Sequence, residues 1–303
     1  MKRDFCIGSE WLYYKIYTGV KTADIILLEK LYPVIFDLKE EKIIDKWFFI
    51  RYNDPSEHIR IRFQCKNSEA VSIVIGKIYP IINKLIEDNS VWKVQTDTYQ
   101  REIERYGETT MIDSESLFWH DSEMIMRYLA LKSSFTKNEM PLFFSFSAID
   151  SFLDSFSLTN TDKLVLMDEL QSSFKKEFDA DKILKKEIDK HYRKLSQEIH
   201  HFLSGTAINE YPEIFKTIQK KQNQTVETSA SLDTNKYIEE VYKKKLKADI
   251  KTKIEAIDYS VQKIDMEIET KEEQAYGTIL KLGLKIFPKK QEEKQGNIYI
   301  EKI

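Results

Sequence analysis

The stretch that decides the fold runs from Trp47 to Phe63 and reads WFFIRYNDPSEHIRIRF. It predicts two short strands joined by a polar turn, and in the second strand apolar residues alternate with Arg60 and Arg62. Because the side chains of a strand alternate between its two faces, both guanidinium groups point the same way. Two cations on one face repel each other. They indicate either a site for an anion or a solvated sheet face with carboxylates nearby.

The flanking residues place this hairpin in a β-α-β-β-α-β order. Strands are predicted at 11–17, 47–52, 59–64 and 92–101, and helices at 22–39 and 69–87. Pro33 is expected to kink or break the first helix. The order is the split βαβ pattern of ferredoxin-like α+β folds, whose antiparallel sheet carries helices on one face. Arg60 and Arg62 are then expected on the other, open face.

The second half of the chain is predicted to be mostly helical, with helices at 114–133, 141–157, 161–176 and 179–204. This half is expected to lie across the open sheet face and close a cleft over the arginines. Polar residues 222–235 predict a linker or a loop tip, and 236–275 predict a charged amphipathic helix or hairpin. The predicted organisation is one domain over 1–221, with a sheet part at about 9–110 and a helical part at about 114–221. A linker and a charged helical extension follow over 222–303.

Composition excludes several classes of function. The 47 basic and 50 acidic residues give a net charge of −3, so a general attraction to nucleic acid is not expected. The chain has neither an apolar signal stretch nor an apolar run long enough to cross a bilayer, which predicts a cytoplasmic protein. Cys6 and Cys65 lack metal-ligand spacing and predict buried packing residues in a reducing compartment. With 8 glycines and no phosphate-binding loop, no cofactor is expected.

Two further segments carry candidate site residues. In 99–107, Glu102 and Arg105 are three residues apart and share a face of a helical turn, either as part of a site or as a surface ion pair. Near the end of a predicted helix, His200 and His201 are adjacent, and only one of them can face a cleft. Zinc sites need three or four converging ligands, so this pair does not predict a metal site.

Three stretches together resemble the C-terminal domain of class I lantibiotic dehydratases and the stand-alone thiopeptide-type bacteriocin biosynthesis proteins. They are Trp11–Gly19, Trp47–Phe63 and Tyr99–Gly107, and the resemblance covers about residues 9–220. The longest shared pattern is Arg-Tyr-x-Asp-Pro-x-x-His-x-Arg-x-Arg-Phe. The large N-terminal glutamylation domain of the full-length enzymes is missing, so the chain looks like the elimination component of a split system.

The resemblance implies a beta-elimination without a cofactor. A tRNA-dependent glutamylating dehydratase partner esterifies Ser or Thr of a precursor peptide with glutamate. The elimination domain then removes the glutamate from the glutamylated precursor peptide, leaving dehydroalanine or dehydrobutyrine. The resemblance also implies a lanthionine cyclase as a later partner.

The family's catalytic residues fall on particular positions of this chain. Its arginines match Arg60, Arg62 and Arg105, its glutamate matches Glu102, and its histidine falls near His200. His201 is the next choice for the histidine, and another register gives Gln197. We also place Arg51, Tyr106 and His201 in the substrate-binding set.

The chain departs from the family pattern at two of these places. The usual Met and Asn-Arg pair are missing after His200, and Tyr106-Gly107-Glu108 replaces the usual double glycine.

Two other functions stay open. Some stand-alone relatives join two dehydroalanines into a pyridine ring by a formal cycloaddition, which the altered region around His200 favours and the retained arginines disfavour. Alternatively, the chain is a non-catalytic scaffold that takes up a precursor peptide along an exposed sheet edge.

Overall fold

The structure is a computed structural model that describes residues 1–177 and 180–230. The described chain divides into two compact units, residues 1–134 and residues 135–230. The predicted charged helix at 236–275 lies outside the described residues.

The first unit contains an antiparallel four-stranded sheet and a separate two-stranded one. The strands are β1 Asp4–Phe5, β2 Trp11–Tyr17, β3 Ile44–Tyr52, β4 His58–Cys65, β5 Lys93–Thr96 and β6 Tyr99–Gln100. The larger sheet has the order β3-β4-β2-β5, and β1 pairs with β6. The α+β class and the strands predicted at 11–17, 47–52 and 59–64 are confirmed.

Helices connect and cover these strands. In the first unit they are α1 Val20–Ile25, a π-helical segment Ile26–Leu31, α2 Tyr32–Glu40, α3 Ser68–Glu87, α4 Ile103–Tyr106 and α5 Met111–Leu131. In the second unit they are α6 Met140–Asp154, α7 Asn160–Glu177, α8 Lys182–Leu203 and α9 Pro212–Ala230. The break expected near Pro33 is observed, because Pro33 lies in the first turn of α2 directly after the π-helical segment.

Side-chain alternation along β4 separates the two faces of the sheet. Ile59, Ile61 and Phe63 are at most 1% exposed, and helices α1 and α3 pack against β4. Trp47 of β3, on the same face, contacts the ring of Tyr32 of α2 at 6.0 Å between centroids. The helices therefore cover this face, and Arg60 and Arg62 lie on the other one.

Helix α5 covers one edge of the sheet. It packs along β3, where the backbone N–H of Phe49 donates a hydrogen bond to Ser122 Oγ at 3.2 Å. Phe118 of α5 contacts Phe48 at 5.3 Å between ring centroids, on the arginine face. This helix, predicted to belong to the helical half, thus belongs to the sheet unit.

The predicted strand at 92–101 is wrong in part, because it is two strands in different sheets. The break falls at Asp97, whose carboxylate accepts a hydrogen bond from the backbone N–H of Thr98 at 2.8 Å. Beyond it, Tyr99–Gln100 pairs with Asp4–Phe5, a strand that the sequence did not predict.

The predicted linker at 222–235 is wrong up to Ala230, where helix α9 ends. The first half of this helix buries Ile214 and Ile218, but beyond residue 221 its buried positions are the small polar residues Thr225 and Ser229. The hydroxyls of Thr217 and Thr225 donate to the carbonyls four residues earlier, which satisfies them inside the helix. Residues 231–235 lie outside the described residues.

Candidate functional site

Arg62 is the centre of the candidate site. Register pairs it with Tyr13 of β2 and Phe48 of β3, and its guanidinium carbon lies 4.2 Å from the Tyr13 ring centroid. The rings of Phe48 and Tyr99 are each 5.1 Å away. Residue Arg62 is 8% exposed, so most of this cation is held among aromatic faces, which attract it through their quadrupoles.

The buried nitrogens of Arg62 lack hydrogen-bond partners. Neither Nε nor Nη1 donates to any residue of the described chain, and no carboxylate there forms an ion pair with Arg62. Buried charged donors are usually satisfied, and leaving one unpaired costs about 1–3 kcal/mol or more. The arrangement fits an anion with oxygen acceptors, such as a carboxylate.

Arg60 lies beside Arg62 on the same face and has a different environment. Its guanidinium carbon lies 3.4 Å from the ring centroid of Tyr52, and its Nε donates to His58 Nε2 at 2.9 Å. No carboxylate in the described chain lies within ion-pair distance of Arg60. Arg60 and Arg62 are therefore two adjacent cations supported by rings and an imidazole.

A third cation comes from the neighbouring strand. Lys15 pairs with Arg60 across β2 and β4 and forms an ion pair with Asp97 at 2.5 Å. Burial by itself would raise the pKa of Asp97. Hydrogen bonds from Lys15 and from the Thr98 N–H together lower this pKa by more, so the net shift is downward. Lys15 thus has a carboxylate partner, whereas Arg60 and Arg62 have none among the described residues.

Glu102 and Arg105 form the ion pair that their spacing predicts, with Arg105 Nη1 at 3.2 Å from Glu102 Oε2. Arg105 lies over the ring of Tyr106 at 5.3 Å. Burial raises the pKa of Tyr106 to about 12, while the charges of Arg105 and Arg62 both act on this hydroxyl to lower it. Tyr106 therefore lies within the electrostatic range of both arginines.

The same aromatic cluster connects these residues. Tyr106 packs in a buried group with Tyr13, Phe48 and Tyr99, the three rings that surround Arg62. The structure thus brings together the predicted site residues of the first unit other than Arg51, namely Arg60, Arg62, Glu102, Arg105 and Tyr106. After α4, Gly107 has a φ of +81°, a conformation that favours glycine.

A buried ion pair that sequence reasoning missed supports this cluster. Glu115 accepts from Arg101 Nε at 2.6 Å and from Arg101 Nη2 at 2.7 Å, and the Tyr99 hydroxyl donates to the same carboxylate at 2.9 Å. Glu115 is 0% exposed. This carboxylate fixes the position of Tyr99, one of the three rings around Arg62. Glu115 stands between Ser114 and Ser116, so the sequence around it carries no local signal of burial.

Arg51 is not brought to the cluster. Its strand position places it on the face of Ile59, where its Nη2 forms an ion pair with Asp24, which also pairs with Lys132 at 2.8 Å. This placement gives no support to the predicted role of Arg51 in substrate binding. Parity along β3 could have shown it, because Arg51 is two residues from Phe49 and four from Trp47.

The two candidate histidines lie in the second unit, near the end of α8. His200 is exposed, and its imidazole makes no hydrogen bond to a described residue. His201 uses both ring nitrogens: Nδ1 contacts Thr206 Oγ1 at 2.7 Å, and Nε2 contacts Glu210 Oε1 at 3.1 Å. The predicted roles of both histidines stay predictions.

Metal-ligand clusters and membrane-crossing helices are not features of residues 1–177 and 180–230. No group of three or more His, Cys, Asp and Glu side chains there could hold a metal ion. Cys65 is buried, and burial raises the pKa of its thiol to about 12, while Cys6 is exposed, contrary to the prediction that it is buried. None of the helices in these residues combines the length and the apolar character that a membrane crossing requires.

Two known proteins are similar in sequence to part of this chain. Subtilin biosynthesis protein SpaB of Bacillus subtilis is 28% identical over 180 residues, which cover 57% of this chain and 17% of SpaB. Nisin biosynthesis protein NisB of Lactococcus lactis subsp. lactis is 30% identical over 128 residues, which cover 41% of this chain and 12% of NisB. The chain thus spans less than a fifth of the length of these two relatives.

A solved structure shares the fold. The crystal structure of the tRNA-dependent lantibiotic dehydratase MibB from Microbispora sp. 107891 matches with a TM-score of 0.59 at 19% identity, covering 75% of this chain and 24% of MibB. The family model described as "Lantibiotic biosynthesis dehydratase C-term" matches residues 11–265, most of the chain. The chain therefore belongs to the family of lantibiotic biosynthesis dehydratase C-terminal domains.

Proposed function

We propose that this chain is a lyase that eliminates glutamate from glutamylated Ser and Thr residues of a ribosomal precursor peptide. The observation that carries the proposal is the buried guanidinium of Arg62, whose Nε and Nη1 have no hydrogen-bond partner in the described residues. Family membership supports a role in dehydration. The unpaired cation favours, within that role, the step in which a carboxylate departs.

The reaction needs a base and a stabilised leaving group. A base takes the α-proton of the esterified residue, the electron pair of the Cα–H bond forms the Cα=Cβ double bond, and the Cβ–O bond breaks. Its electrons leave on the glutamate carboxylate. Arg62 and Arg60 are suited to receive this carboxylate, because arginine stays charged and donates two parallel hydrogen bonds to an anion.

Arg105 and Glu102 have supporting roles in the proposal. Arg105 adds positive charge beside the aromatic cluster, and Glu102 orients it through the 3.2 Å contact. Tyr106, whose ring lies beneath Arg105, is proposed to contact the substrate with its hydroxyl in the neutral form, since its pKa is raised to about 12.

His200 is the proposed base in preference to His201. Both ring nitrogens of His201 are engaged with Thr206 and Glu210, whereas the imidazole of His200 has no hydrogen bond to a described residue. A ring nitrogen that makes no hydrogen bond to a described residue has a position open for the α-proton of the substrate.

Partner activities are also part of the proposal. A tRNA-dependent glutamylating dehydratase would supply the esterified precursor in the cytoplasm, and a lanthionine cyclase would consume the product. The β-α-β-β-α-β order and the sheet order β3-β4-β2-β5 support a ferredoxin-like core for this component. The pyridine-forming cycloaddition explains the unpaired arginines less well, because it releases no carboxylate from an ester.

The test is to incubate the purified chain with a synthetic glutamylated peptide and no other enzyme. Mass spectrometry is expected to show loss of glutamic acid from the peptide, and free glutamate should accumulate in equal amount. A peptide that stays glutamylated while binding the chain would instead support the non-catalytic scaffold.

The matched variants are Arg62→Lys and Arg127→Lys. Arg62→Lys keeps a charge but loses the two-pronged donor, so the rate should fall about 10²- to 10³-fold, as when one oxyanion donor is removed. Arg127 already has an ion pair with Glu123 at 2.9 Å, so Arg127→Lys should stay near the wild-type rate. Equal rates for the two variants would reject the role of Arg62.

A further inference from the structure

We propose that His58 is a positioning residue for Arg60: its neutral imidazole accepts a hydrogen bond from Arg60 Nε and holds that guanidinium at the reactive face of the sheet. The expected effect on the reaction rate rests on the proposed function. The hydrogen bond between His58 and Arg60 does not depend on that function. His58 itself does not contact the peptide in this account. It acts through Arg60.

The imidazole of His58 is held between two tyrosines. The residue is 3% exposed, and its ring stacks on Tyr17 at 4.7 Å between centroids with an interplanar angle of 26°. Tyr52 packs edge-on against it at 5.5 Å. Because Tyr52 is also the ring beneath Arg60, at 3.4 Å, one tyrosine fixes both members of the His58–Arg60 pair.

The hydrogen bonds of His58 determine its tautomer. Nδ1 lies 2.7 Å from the backbone carbonyl of Ser56, which can only accept, so Nδ1 carries the proton. Nε2 is then left with a lone pair directed at Arg60 Nε, at 2.9 Å. A guanidinium nitrogen can only donate, so this contact requires the neutral ring.

The charges around His58 oppose its protonation. Burial lowers the pKa of His58 below the ordinary value of 6.5, and the charges of Arg60 and Lys15 lower it further. The Ser56 carbonyl and the charge of Asp54 act in the opposite direction and are outweighed. Another cation is nearby, because Lys93 Nζ lies 5.0 Å from the ring centroid of Tyr17, the tyrosine that stacks on His58. A protonated His58 would lose its acceptor and add a cation beside Arg60 and Lys15. The site therefore works with His58 neutral.

Fixing Nε leaves the terminal nitrogens of Arg60 to face substrate in one orientation. Without the acceptor at Nε, the guanidinium can rotate about its long side chain, and part of the orientation needed for catalysis is lost. We expect the loss to appear in kcat more than in KM. The carboxylate that Arg60 would bind gains its negative charge only as the ester bond breaks, so the interaction is strongest in the transition state.

The kinetic test uses two substitutions that differ in one property. His58→Phe keeps an aromatic ring between the tyrosines and removes the acceptor, so kcat for glutamate release should fall about 10- to 100-fold, the range expected for one hydrogen bond to a charged group. His58→Gln places an oxygen near the position of Nε2 and should recover most of that loss. His191→Gln, in the second unit, is the control for removal of a histidine.

A double-substitution cycle shows whether His58 acts through Arg60. Arg60→Lys removes the Nε donor, so adding His58→Phe to it should cost less than about threefold more. Equal penalties for His58→Phe in the wild-type chain and in the Arg60→Lys variant, or a wild-type rate for His58→Phe, would overturn the inference. A wild-type chain that releases no glutamate would reject the proposed function instead.

Nitrogen NMR decides the structural content whether or not the chain is active. With ¹⁵N-labelled full-length chain, His58 should show a protonated Nδ1 and an unprotonated Nε2 at about pH 7.5. Because its pKa is lowered, chiefly by burial, its second protonation should begin at a lower pH than that of an ordinary histidine. Arg60→Lys should shift the Nε2 resonance. An imidazole protonated on both nitrogens at neutral pH, or the opposite tautomer, would overturn the inference.

Discussion

At the scale of single residues, the site depends on how a charged group is kept inside a protein without a fixed counter-ion. Arg62 is surrounded by Tyr13, Phe48 and Tyr99, and ring faces stabilise a cation without occupying its N–H donors. Arg101, by contrast, is paired with Glu115 through two hydrogen bonds. The contrast separates a guanidinium that is available to a ligand from one that holds the structure together.

The Arg101–Glu115 pair gives a stability prediction. Glu115→Gln removes the buried negative charge and one of the two oxygens that accept from Arg101, leaving a buried cation without a counter-ion, so the free energy of unfolding should fall by about 3–5 kcal/mol. Urea unfolding of the purified chain measures this loss. Glu41→Gln, in the exposed ion pair with Lys77 at 2.6 Å, is the matched control and should change stability by less than about 1 kcal/mol.

If both glutamine variants unfold at the same urea concentration, the network around Glu115 does not support the aromatic cluster. A destabilised Glu115→Gln chain should also lose elimination activity, because Tyr99 and Arg101 must share the single amide oxygen of glutamine and Tyr99 is held less firmly beside Arg62.

Residue-scale patterns in the sequence predicted much of this site, and their limits have physical causes. Alternation placed Arg60 and Arg62 on one face, and three-residue spacing gave the Glu102–Arg105 pair. Alternation could not show that Arg62 lacks a partner among the described residues, because partners come from other elements. Glu115 was missed because nothing local marks a carboxylate that is buried by a distant arginine.

At the scale of elements, local capping explains where the helices begin. The backbone N–H and hydroxyl of Thr159 both donate to Asp162 at 2.9 and 2.6 Å, and the Asp162 N–H donates back to Thr159 Oγ1 at 3.2 Å. This is a reciprocal cap at the start of α7. The helix predicted at 161–176 begins within one residue of α7, because such capping signals are local.

Removing this cap should destabilise the second unit. Thr159→Ala leaves the first turn of α7 with an unsatisfied N–H group, so the free energy of unfolding should fall by about 1 kcal/mol. The control is Thr161→Ala, two residues away and exposed, which should stay within about 0.5 kcal/mol of the wild type. Thermal unfolding followed by circular dichroism compares the two. A larger loss from Thr161→Ala would contradict the assignment of the cap.

Elements that depend on distant partners were the ones the sequence misassigned. Strands β1 and β6 have two residues each and exist because they pair with each other across the chain. Over 222–230 helix α9 buries Thr225 and Ser229, so no apolar periodicity was available there to extend the helix to Ala230. In both cases tertiary contacts, not local preference, decide the structure.

At the scale of the whole molecule, the buried imidazole of His58 ties stability to pH. Its pKa is lowered in the folded chain, chiefly by burial, from the ordinary value of 6.5. The unfolded chain therefore binds this proton at a higher pH than the folded chain does. The stabilising contribution is complete above about pH 6.5 and is lost as the pH falls through the window between the two pKa values.

We expect the free energy of unfolding to decrease as the pH is lowered from about 6.5. His58 should contribute at most about 1.4 kcal/mol per pH unit to this decrease. His58→Gln should make the curve flatter by this amount, because glutamine does not titrate. Urea unfolding between about pH 5 and about pH 8, the range in which histidine changes its charge, measures both chains, and His191→Gln is the control. Parallel curves for wild type and His58→Gln would show that His58 is not buried in its neutral form.

The central claim is that the guanidinium of Arg62 receives the departing carboxylate, and chemical rescue tests it most directly. Arg62→Ala leaves a space among Tyr13, Phe48 and Tyr99 that a small planar cation can enter. Glutamate release by this variant should be at least about 10²-fold slower than wild type and should recover in part with added methylguanidinium. Neutral urea, of similar shape, should restore nothing. An Arg62→Ala chain that releases glutamate at the wild-type rate without any additive would contradict the claim.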